Sequence, residues 1–350
     1  MSGGIAQLVA IGAQDAHIVG RPEVSFFRSS YKRHTNFAQT VERQVIQGNP
    51  SPGGMSTVRF ERKGDLLSYV YLAPNDGVLA TSIAPADWLT QIEKVELLIG
   101  GQVIDTQTSN FSQYIAPTLN AQNLTKSKSG FAEAALSRFY PLRFSFCENW
   151  QSAIPLIALQ YHDVEIRITW GSALTHKWEC YAHYVYLDTD ERTALSGTPQ
   201  NMLITQTQRA IASGSKTQEL NFNHPVKLIA AADGSALTMA ADANKLKLQI
   251  NGTDVTDFKF VDPHYTAVPL YYHTSSSKDE SGDGNNKKVF LYPFCLDTCK
   301  LQPTGSLNFS RLDSARIVND TSNSNDDIYA VNYNILRIEN GRVVSCTRIK

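Results

Sequence analysis

The sequence has almost no net charge, little charge of either sign and no long apolar run. Its 32 Lys and Arg residues balance 33 Asp and Glu residues, so the formal net charge is -1 at pH 7. This balance gives no overall positive field to hold a nucleic acid. No apolar run approaches the roughly 20 residues that a membrane-spanning helix needs. The short apolar run at residues 5–13 has no basic segment before it, so we expect no cleaved secretory signal.

Cysteine is also scarce. The sequence has five cysteines, an odd number scattered along the chain: Cys147, Cys180, Cys295, Cys299 and Cys346. This pattern argues against a disulfide framework and favours reduced thiols in a cytosolic compartment.

Apolar residues, in contrast, are plentiful. They make up 42% of the chain, and charged residues only 19%, which is typical of a folded protein rather than a disordered one. A chain of 350 residues exceeds what one hydrophobic core usually serves. Two domains of about 150 to 200 residues are therefore expected, with a single larger β-domain as the alternative.

Several segments alternate apolar and polar residues with a period of two, which predicts strands with one buried face. Three such sets stand out: Val95, Leu97 and Ile99; Val164, Ile166, Ile168 and Trp170; Leu246, Leu248 and Ile250. Helical periodicity is limited to possible single turns at residues 87–91 and 130–136. The pattern favours an all-β protein built as sandwiches or barrels.

Two parts of the sequence repeat each other at an offset of 151 residues. The segment 94–101 (KVELLIGG) resembles 245–252 (KLKLQING), and each ends in a residue pair suited to a tight hairpin with positive φ. The same offset aligns Leu156 with Leu307 and Val164 with Ala315, as well as Ile166 with Ile317. Two widely separated matches in one register predict a duplicated domain.

The divide between the domains is expected between residues 195 and 216, in a polar stretch that begins with SGTP at 196–199 and ends with SGS at 213–215. We predict an N-terminal arm at residues 1–24, a first domain at 25–205 and a second at 206–350. The polar segments 275–288 and 319–327 are predicted to be exposed loops.

No pattern of catalytic or metal-binding residues emerges. His176, Cys180 and His183 lie close in sequence, but residues four apart on a strand are roughly 13 Å apart. Cys295 and Cys299 have the same spacing problem. Phosphate-binding loops, nucleophile elbows and paired metal-binding histidines are lacking. We therefore predict no catalytic residue, no metal, no cofactor and no enzymatic activity.

One acidic cluster needs a separate interpretation. Asp188, Asp190 and Glu191 are followed directly by Arg192. We interpret this cluster as a salt-linked strand end or a subunit contact rather than an acid/base pair.

Blocks along nearly the whole chain closely resemble the major capsid proteins of nucleocytoplasmic large DNA viruses, especially the algal-virus and mimivirus-like branches. The blocks are residues 3–10 (GGIAQLVA), 12–15 (GAQD), 22–27 (PEVSFF), 31–38 (YKRHTNFA), 155–162 (PLIALQYH), 187–192 (LDTDER), 220–225 (LNFNHP), 308–313 (NFSRLD) and 332–338 (NYNILRI).

The resemblance implies two tandem eight-stranded antiparallel jelly-roll barrels. It further implies homotrimers of pseudo-hexagonal outline, which contact one another as capsomers in the icosahedral shell of a large DNA virus. Partners would be other copies of the chain, minor capsid proteins and an inner membrane beneath the shell. The resemblance places the protein in the virion, assembled in the host cell cytoplasm, with no sequence-specific nucleic-acid binding.

The resemblance also puts the N-terminal arm at the inner base of the trimer. The arm mixes aromatic residues with Arg, as protein interfaces do, although a first strand packed on its own barrel is the alternative. Candidate inter-subunit or inner-face contacts are Gln7, Gln14, Asp15, Phe26, Phe27, Tyr31 and Arg33.

Candidate glycosylation sites, if the chain meets a glycosylating machinery, are the Asn-x-Ser/Thr triplets at Asn123, Asn251, Asn308 and Asn319. Two other functions were weighed against a shell protein. One is a jelly-roll carbohydrate-binding or host-attachment module of a virion, for which Tyr271, Tyr272 and His273 would be the aromatic candidates. The other is a sugar-active or cupin-like enzyme.

Overall fold

The computed structural model describes residues 3–75, 88–119, 139–232, 244–275, 289–321 and 323–345, together with Leu237 and Met239. The chain divides into two compact units, residues 1–36 and 37–350. The first unit contains the helices α1 (Gly3–Val9) and α2 (Ala16–Val19), neither of which has a buried residue.

The second unit contains the strands. Those of its first half are β1 (Phe37–Gln44), β2 (Ile46–Gln47), β3 (Met55–Arg59), β4 (Leu66–Pro74), β5 (Ile92–Ile99), β6 (Gln102–Thr108), β7 (Tyr140–Pro141), β8 (Ile154–Pro155), β9 (Val164–Trp170) and β10 (Trp178–Leu187). Those of its second half are β11 (Gln200–Ala210), β12 (Thr217–Glu219), β13 (Pro225–Ala231), β14 (Lys245–Ile250), β15 (Thr253–Asp254), β16 (Lys259–Phe260), β17 (Phe290–Pro293), β18 (Leu307–Asn308), β19 (Ala315–Asn319), β20 (Ile328–Glu339) and β21 (Arg342–Ser345).

Short helices interrupt the strands. They are α3 (Trp88–Gln91), α4 (Ala116–Leu119), α5 (Ser145–Glu148), α6 (Thr189–Gly197), α7 (Val261–His264) and α8 (Ala267–His273), with a π-helical turn at Phe111–Ile115 and 3-10 turns at Trp150–Ser152, Leu156–Ala158 and Phe309–Arg311. The helical turn predicted at 87–91 is confirmed by α3. The one predicted at 130–136 lies outside the described residues, as does nearly all of the predicted loop 275–288. Within the described part, no helix has the length and apolar character needed to span a bilayer.

Each half forms two antiparallel sheets with the same strand order. In the first half the orders are β1-β10-β4-β7, with β8 also on β4, and β2-β3-β9-β5-β6. In the second half they are β11-β20-β13-β17, with β18 also on β13 and β21 on β20, and β12-β19-β14-β15, with β16 also on β14. In both halves the edge of the first sheet consists of two short strands that pair with the same neighbour: β7 and β8 pair with β4, and β17 and β18 pair with β13. The predicted all-β architecture of tandem jelly-roll barrels is confirmed.

The duplication is confirmed at the level of strand register. Leu97 pairs with Ile166 in the first barrel, and Leu248 pairs with Ile317 in the second, so both partners shift by 151 residues. The predicted hairpin turns are also present. Gly100 and Gly101 follow β5 with positive φ, and Asn251 and Gly252 follow β14 in the same conformation.

Each barrel buries its own apolar core between its two sheets. The first core, however, includes three side chains from strands of the second barrel. These are Ile204 of β11 and Leu336 and Ile338 of β20. The hairpin that follows also reaches the first barrel, because Tyr161 N donates to Gly341 O at 3.0 Å and Val343 N donates to His162 Nδ1 at 3.1 Å. The two barrels are therefore joined by shared strands.

The polar stretch in which the domain divide is predicted contains regular structure. Thr189–Gly197 forms a helix whose first turn carries acids behind Asp188, and Gln200–Ala210 forms an eleven-residue strand. This strand is bonded to the first barrel, because Gln206 Nε2 donates to Ile104 O and Thr207 N donates to Asp105 Oδ1. The boundary between residues 205 and 206 falls within this strand, and the domain limits stay a prediction.

We expect Leu336→Ala to destabilise the first barrel although the residue belongs to the second. Its side chain is 2% exposed and lies in the first core, so its removal should lower the free energy of unfolding by about 2 to 5 kcal/mol. Hydrogen exchange should show lost amide protection in β3, β5 and β9. Ile335→Ala is the matched control, because the neighbouring side chain is 55% exposed. Loss of protection confined to second-barrel strands would contradict the shared core.

Candidate functional site

The surface between the two barrels is formed by one helical segment of the first barrel. Every residue from Phe111 to Leu119 is buried. Their apolar side chains pack on the outer face of the second barrel's β11-β20-β13-β17 sheet, against Leu228, Ala230, Ala232, Val289, Leu291, Tyr329 and Val331. The inner face of the same sheet lies in the second core. This sheet is therefore covered on both faces, which fixes one barrel against the other.

This segment was not predicted from the sequence. The sequence of a strand that is covered on both faces is a continuous apolar run, not an alternation of apolar and polar residues. The run from Leu228 to Ala232 has this character, so a signal for the double burial was present. The run from Phe111 to Leu119 contains no charged residue, which is the matching signal in the first barrel.

Polar groups hold β6 and β11 together beside this apolar contact. Gln206 Nε2 donates to Ile104 O at 2.5 Å, and Thr207 N donates to Asp105 Oδ1 at 2.8 Å. Asn334 Nδ2 donates in turn to Gln206 Oε1 at 2.8 Å. Buried polar groups that find partners in only one arrangement favour that arrangement over others. This network gives the barrel junction a defined register.

Asp105 is the ionisable group at the centre of the network. Its carboxylate accepts hydrogen bonds from Thr207 N, from Gln107 Nε2 at 2.9 Å and from Thr106 N at 2.9 Å. Burial nevertheless raises the pKa of Asp105 to about 6, because loss of hydration destabilises the charged carboxylate by more than the three hydrogen bonds stabilise it. The junction therefore contains a carboxyl group that titrates near neutral pH.

A second link lies where β10 leaves the first barrel. Asp65 Oδ2 accepts from Leu187 N at 2.8 Å and from Arg192 Nη2 at 3.0 Å. Asp188 accepts from Thr189 N at 2.7 Å at the start of α6. The salt link predicted for this cluster is present, but the partner of Arg192 is Asp65 and not the neighbouring acids. It ties the connecting helix to the first barrel.

The residues predicted as assembly contacts lie in the arm and in the segment directly after it. Gln7 lies in α1, and Gln14 and Asp15 directly precede α2. Asp15 Oδ2 accepts from Gly12 N at 2.7 Å, which stabilises the turn between the two helices. The other candidates follow α2 in turns or irregular backbone with exposed side chains: Phe26, Phe27, Tyr31 and Arg33. Their role as contacts stays a prediction.

The four candidate Asn residues lie in different surroundings. Asn123 is outside the described residues. Asn251 is exposed, although its Oδ1 accepts from Asp313 N and Ser314 N, and Asn308 is half-buried with its Oδ1 bonded to Ser310 N. Asn319 is buried. A glycan on the folded chain would therefore have the easiest access at Asn251.

The structure separates the side chains considered as metal ligands. Cys180 lies in the first core, whereas His183 lies on the outer face of the same sheet. Among the described residues, no group of three or more His, Cys, Asp or Glu side chains could hold a metal ion. Burial raises the pKa of the Cys180 thiol to about 12, so this sulfur is held in its protonated form.

Comparison with known proteins finds viral shell proteins along the whole chain. The family model for the major capsid protein N-terminus matches residues 25–177, and the model for the large eukaryotic DNA virus major capsid protein matches residues 191–344. The major capsid protein of Pyramimonas orientalis virus is 33% identical over 390 aligned positions, which cover 97% of this chain and 98% of that protein. That of Paramecium bursaria Chlorella virus 1 is 30% identical with the same coverage.

Two solved structures share the fold. The structure of PBCV-1 VP54 has a TM-score of 0.73 at 24% identity and covers 93% of this chain and 100% of that chain. The Faustovirus major capsid protein has a TM-score of 0.62 at 11% identity and covers 94% of each chain. At these identities the likeness concerns the double jelly-roll fold.

The raised pKa of Asp105 predicts a pH-dependent junction. Between about pH 4 and 6 the folded chain keeps a proton that the unfolded chain has released, so the stability from this group is lost as pH rises through about 6. A shift of this size corresponds to about 3 kcal/mol. The melting temperature of the wild type should therefore rise, relative to Asp105→Asn, when the pH is lowered from about 7.5 to about 5.

The control for this measurement is Asp313→Asn, which changes an exposed carboxylate. Its difference from the wild type should not follow the same pH dependence. If the difference between wild type and Asp105→Asn stayed flat over this range, the three donors would outweigh the burial of the carboxyl group.

Proposed function

The chain belongs to the family of large eukaryotic DNA virus major capsid proteins, and we propose that it forms homotrimers that tile an icosahedral shell. Its role is structural, in the virus capsid. In the proposed trimer, six barrels from three chains surround one axis and give a pseudo-hexagonal block. Blocks of this outline pack side by side over a surface, and contacts between them build the shell.

The single observation that supports this arrangement is the fixed pairing of two equivalent barrels in one chain. The barrels share strand order and register, and an apolar contact covers one sheet on both faces. A rigid pair of similar units is what a threefold arrangement needs to imitate a sixfold one. Jelly rolls suit this use because their sheet edges are short and protected from uncontrolled pairing.

The arm at residues 1–24 and the exposed residues directly after it are proposed to act on the inner side of the shell. Phe26, Phe27 and Tyr31 expose aromatic rings near Arg33, a combination that protein interfaces favour. Minor capsid proteins and the inner membrane are the proposed partners there, with assembly in the host cytoplasm. The relatives are structural proteins, and we propose neither a catalytic role nor sequence-specific binding of nucleic acid.

The homotrimer predicts the mass of the purified protein. Light scattering should give three times 38.8 kDa, or about 116 kDa, and electron microscopy should show particles of hexagonal outline. A stable monomer across the concentrations at which capsids assemble would contradict the proposal.

The arm predicts a separation of folding from assembly. Deleting residues 1–24 removes no strand, so the melting temperature of the barrels should stay within about 2 °C of the wild type. Incorporation of the shortened chain into virions should fall, as measured by mass spectrometry of purified particles. Equal loss of folding and incorporation would show that the arm serves the barrel instead.

A further inference from the structure

The contact between the two barrels of one chain has two parts, a helical segment of the first barrel and a sheet face of the second. Each part has an equivalent in the other barrel that stays exposed in the single chain. Within the chain, the segment Phe111–Leu119 follows β6 of the first barrel and covers the outer face of the second barrel's β11-β20-β13-β17 sheet. Thr108 Oγ1, just before this segment, lies 2.8 Å from the hydroxyl of Tyr329 in that sheet. The contact therefore has both an apolar and a polar part.

The second barrel carries the equivalent of this segment. Tyr114, Ala116 and Leu119 correspond to Tyr265, Ala267 and Leu270, since 265 minus 114, 267 minus 116 and 270 minus 119 all equal 151. This is the offset that relates the strands of the two barrels. The segment that contains α8 is therefore the second copy of the one that joins the barrels.

The two copies differ in what covers them. Every residue of Phe111–Leu119 is buried, whereas α8 exposes its outer side chains. Tyr271 is 80% exposed and Tyr272 is 71% exposed, with their rings 4.9 Å apart. Leu270 is partly buried and packs against the apolar cluster on the outer face of the β11-β20-β13-β17 sheet. An anchored helix thus presents two adjacent tyrosines outward.

The first barrel carries the equivalent of the covered sheet. The outer face of β1-β10-β4-β7 bears an aromatic face, defined here as Tyr69, Tyr71, Phe139, Trp150, Tyr181 and His183. Tyr69 stacks on His183 at 4.4 Å between ring centroids, and Tyr71 stacks on Tyr181 at 5.3 Å. In the second barrel the corresponding face lies under Phe111–Leu119. Within the described residues of the chain, no equivalent segment covers the aromatic face.

His183 adds a polar group that lacks a partner. Its side chain is buried, and its Nε2 lies 3.2 Å from Gln39 Oε1. With Nε2 donating to that oxygen, Nδ1 is an acceptor, and it has no hydrogen-bond partner among the described residues. Burial lowers the pKa of His183, which keeps the ring neutral and Nδ1 able to accept. This atom lies beneath the surface of the aromatic face, where the rings of Tyr69 and Trp150 pack against the imidazole.

We infer that α8 of one copy packs on the aromatic face of a second copy, repeating between chains the contact that joins the barrels within a chain. Tyr271 and Tyr272 supply the aromatic surface of this contact. Such a contact joins different surfaces of the two partners, so it is directional and closes into a ring when the rotation permits. The inference rests on the proposed homotrimer and names the two surfaces that form it.

The test places charge on the helix side of the contact. Tyr271→Asp combined with Tyr272→Asp buries two carboxylates without partners if the contact forms, so the trimer should dissociate. Light scattering should then give 38.8 kDa where the wild type gives about three times that mass. Both side chains are exposed in the single chain, so the circular dichroism spectrum should match that of the wild type.

The matched control is Ile211→Asp, which charges an equally exposed apolar side chain outside both surfaces (73% exposed). It should leave the trimer intact. The reciprocal variant, Tyr71→Asp with Tyr181→Asp, should also give a monomer. If that variant fails to fold, the helix variant alone decides.

The outcomes separate this inference from the proposed function. A trimeric wild type with a helix variant that stays trimeric overturns the inference and leaves the homotrimer standing. So does a helix variant that is trimeric but fails to enter virions, because α8 would then contact other capsomers or another protein. A wild type that is itself monomeric overturns the homotrimer.

Discussion

The arrangement of this molecule depends on one sheet that is covered on both sides. The β11-β20-β13-β17 sheet faces its own core with Ile229 and Ala231, and it faces the first barrel with Leu228 and Ala230. At about 25 cal/mol per Å² of apolar surface removed from water, a sheet that buries two faces gains more than one that buries a single face. Neither barrel can rotate on the other without exposing this surface again.

Polar contacts set the alignment that the apolar contact alone would leave loose. Asp105 and Gln206 are each bonded to the other's strand across the junction, and Asn334 of β20 donates to the Gln206 side chain within the second barrel. A shift of β11 by one residue would separate each donor from its acceptor in a place that water does not reach. The apolar surface supplies the stability of the junction, and the polar network supplies its register. The cost of burying the Asp105 carboxylate is part of that specificity.

The sequence was sufficient where one barrel explains its own pattern. The alternation of Val95, Leu97 and Ile99 and its repeat 151 residues later predicted strands, hairpins and duplication correctly, because these side chains face a core built by their own barrel. The sequence was insufficient where residues of one barrel have their contacts in the other barrel. The polar residues of β11 fall in the stretch where the domain divide is predicted, and the pattern could not show that Gln206 and Thr207 bind Ile104 and Asp105, 102 residues away in sequence. The helix α6 had a capping signal in Asp188 and the acids after it, but the run was interpreted as a strand end.

The strands shared between the barrels also bear on how the chain is made. A ribosome releases the first barrel's own strands long before it reaches Leu336 and Ile338, which complete that barrel's core. During synthesis the first barrel therefore lacks part of its interior until β20 of the second barrel has emerged, whereas domains whose cores contain only their own residues can finish one after another. A chain that stopped before β20 would leave a gap in the first core. The interior of the first barrel is thus completed only when a long strand of the second barrel is in place.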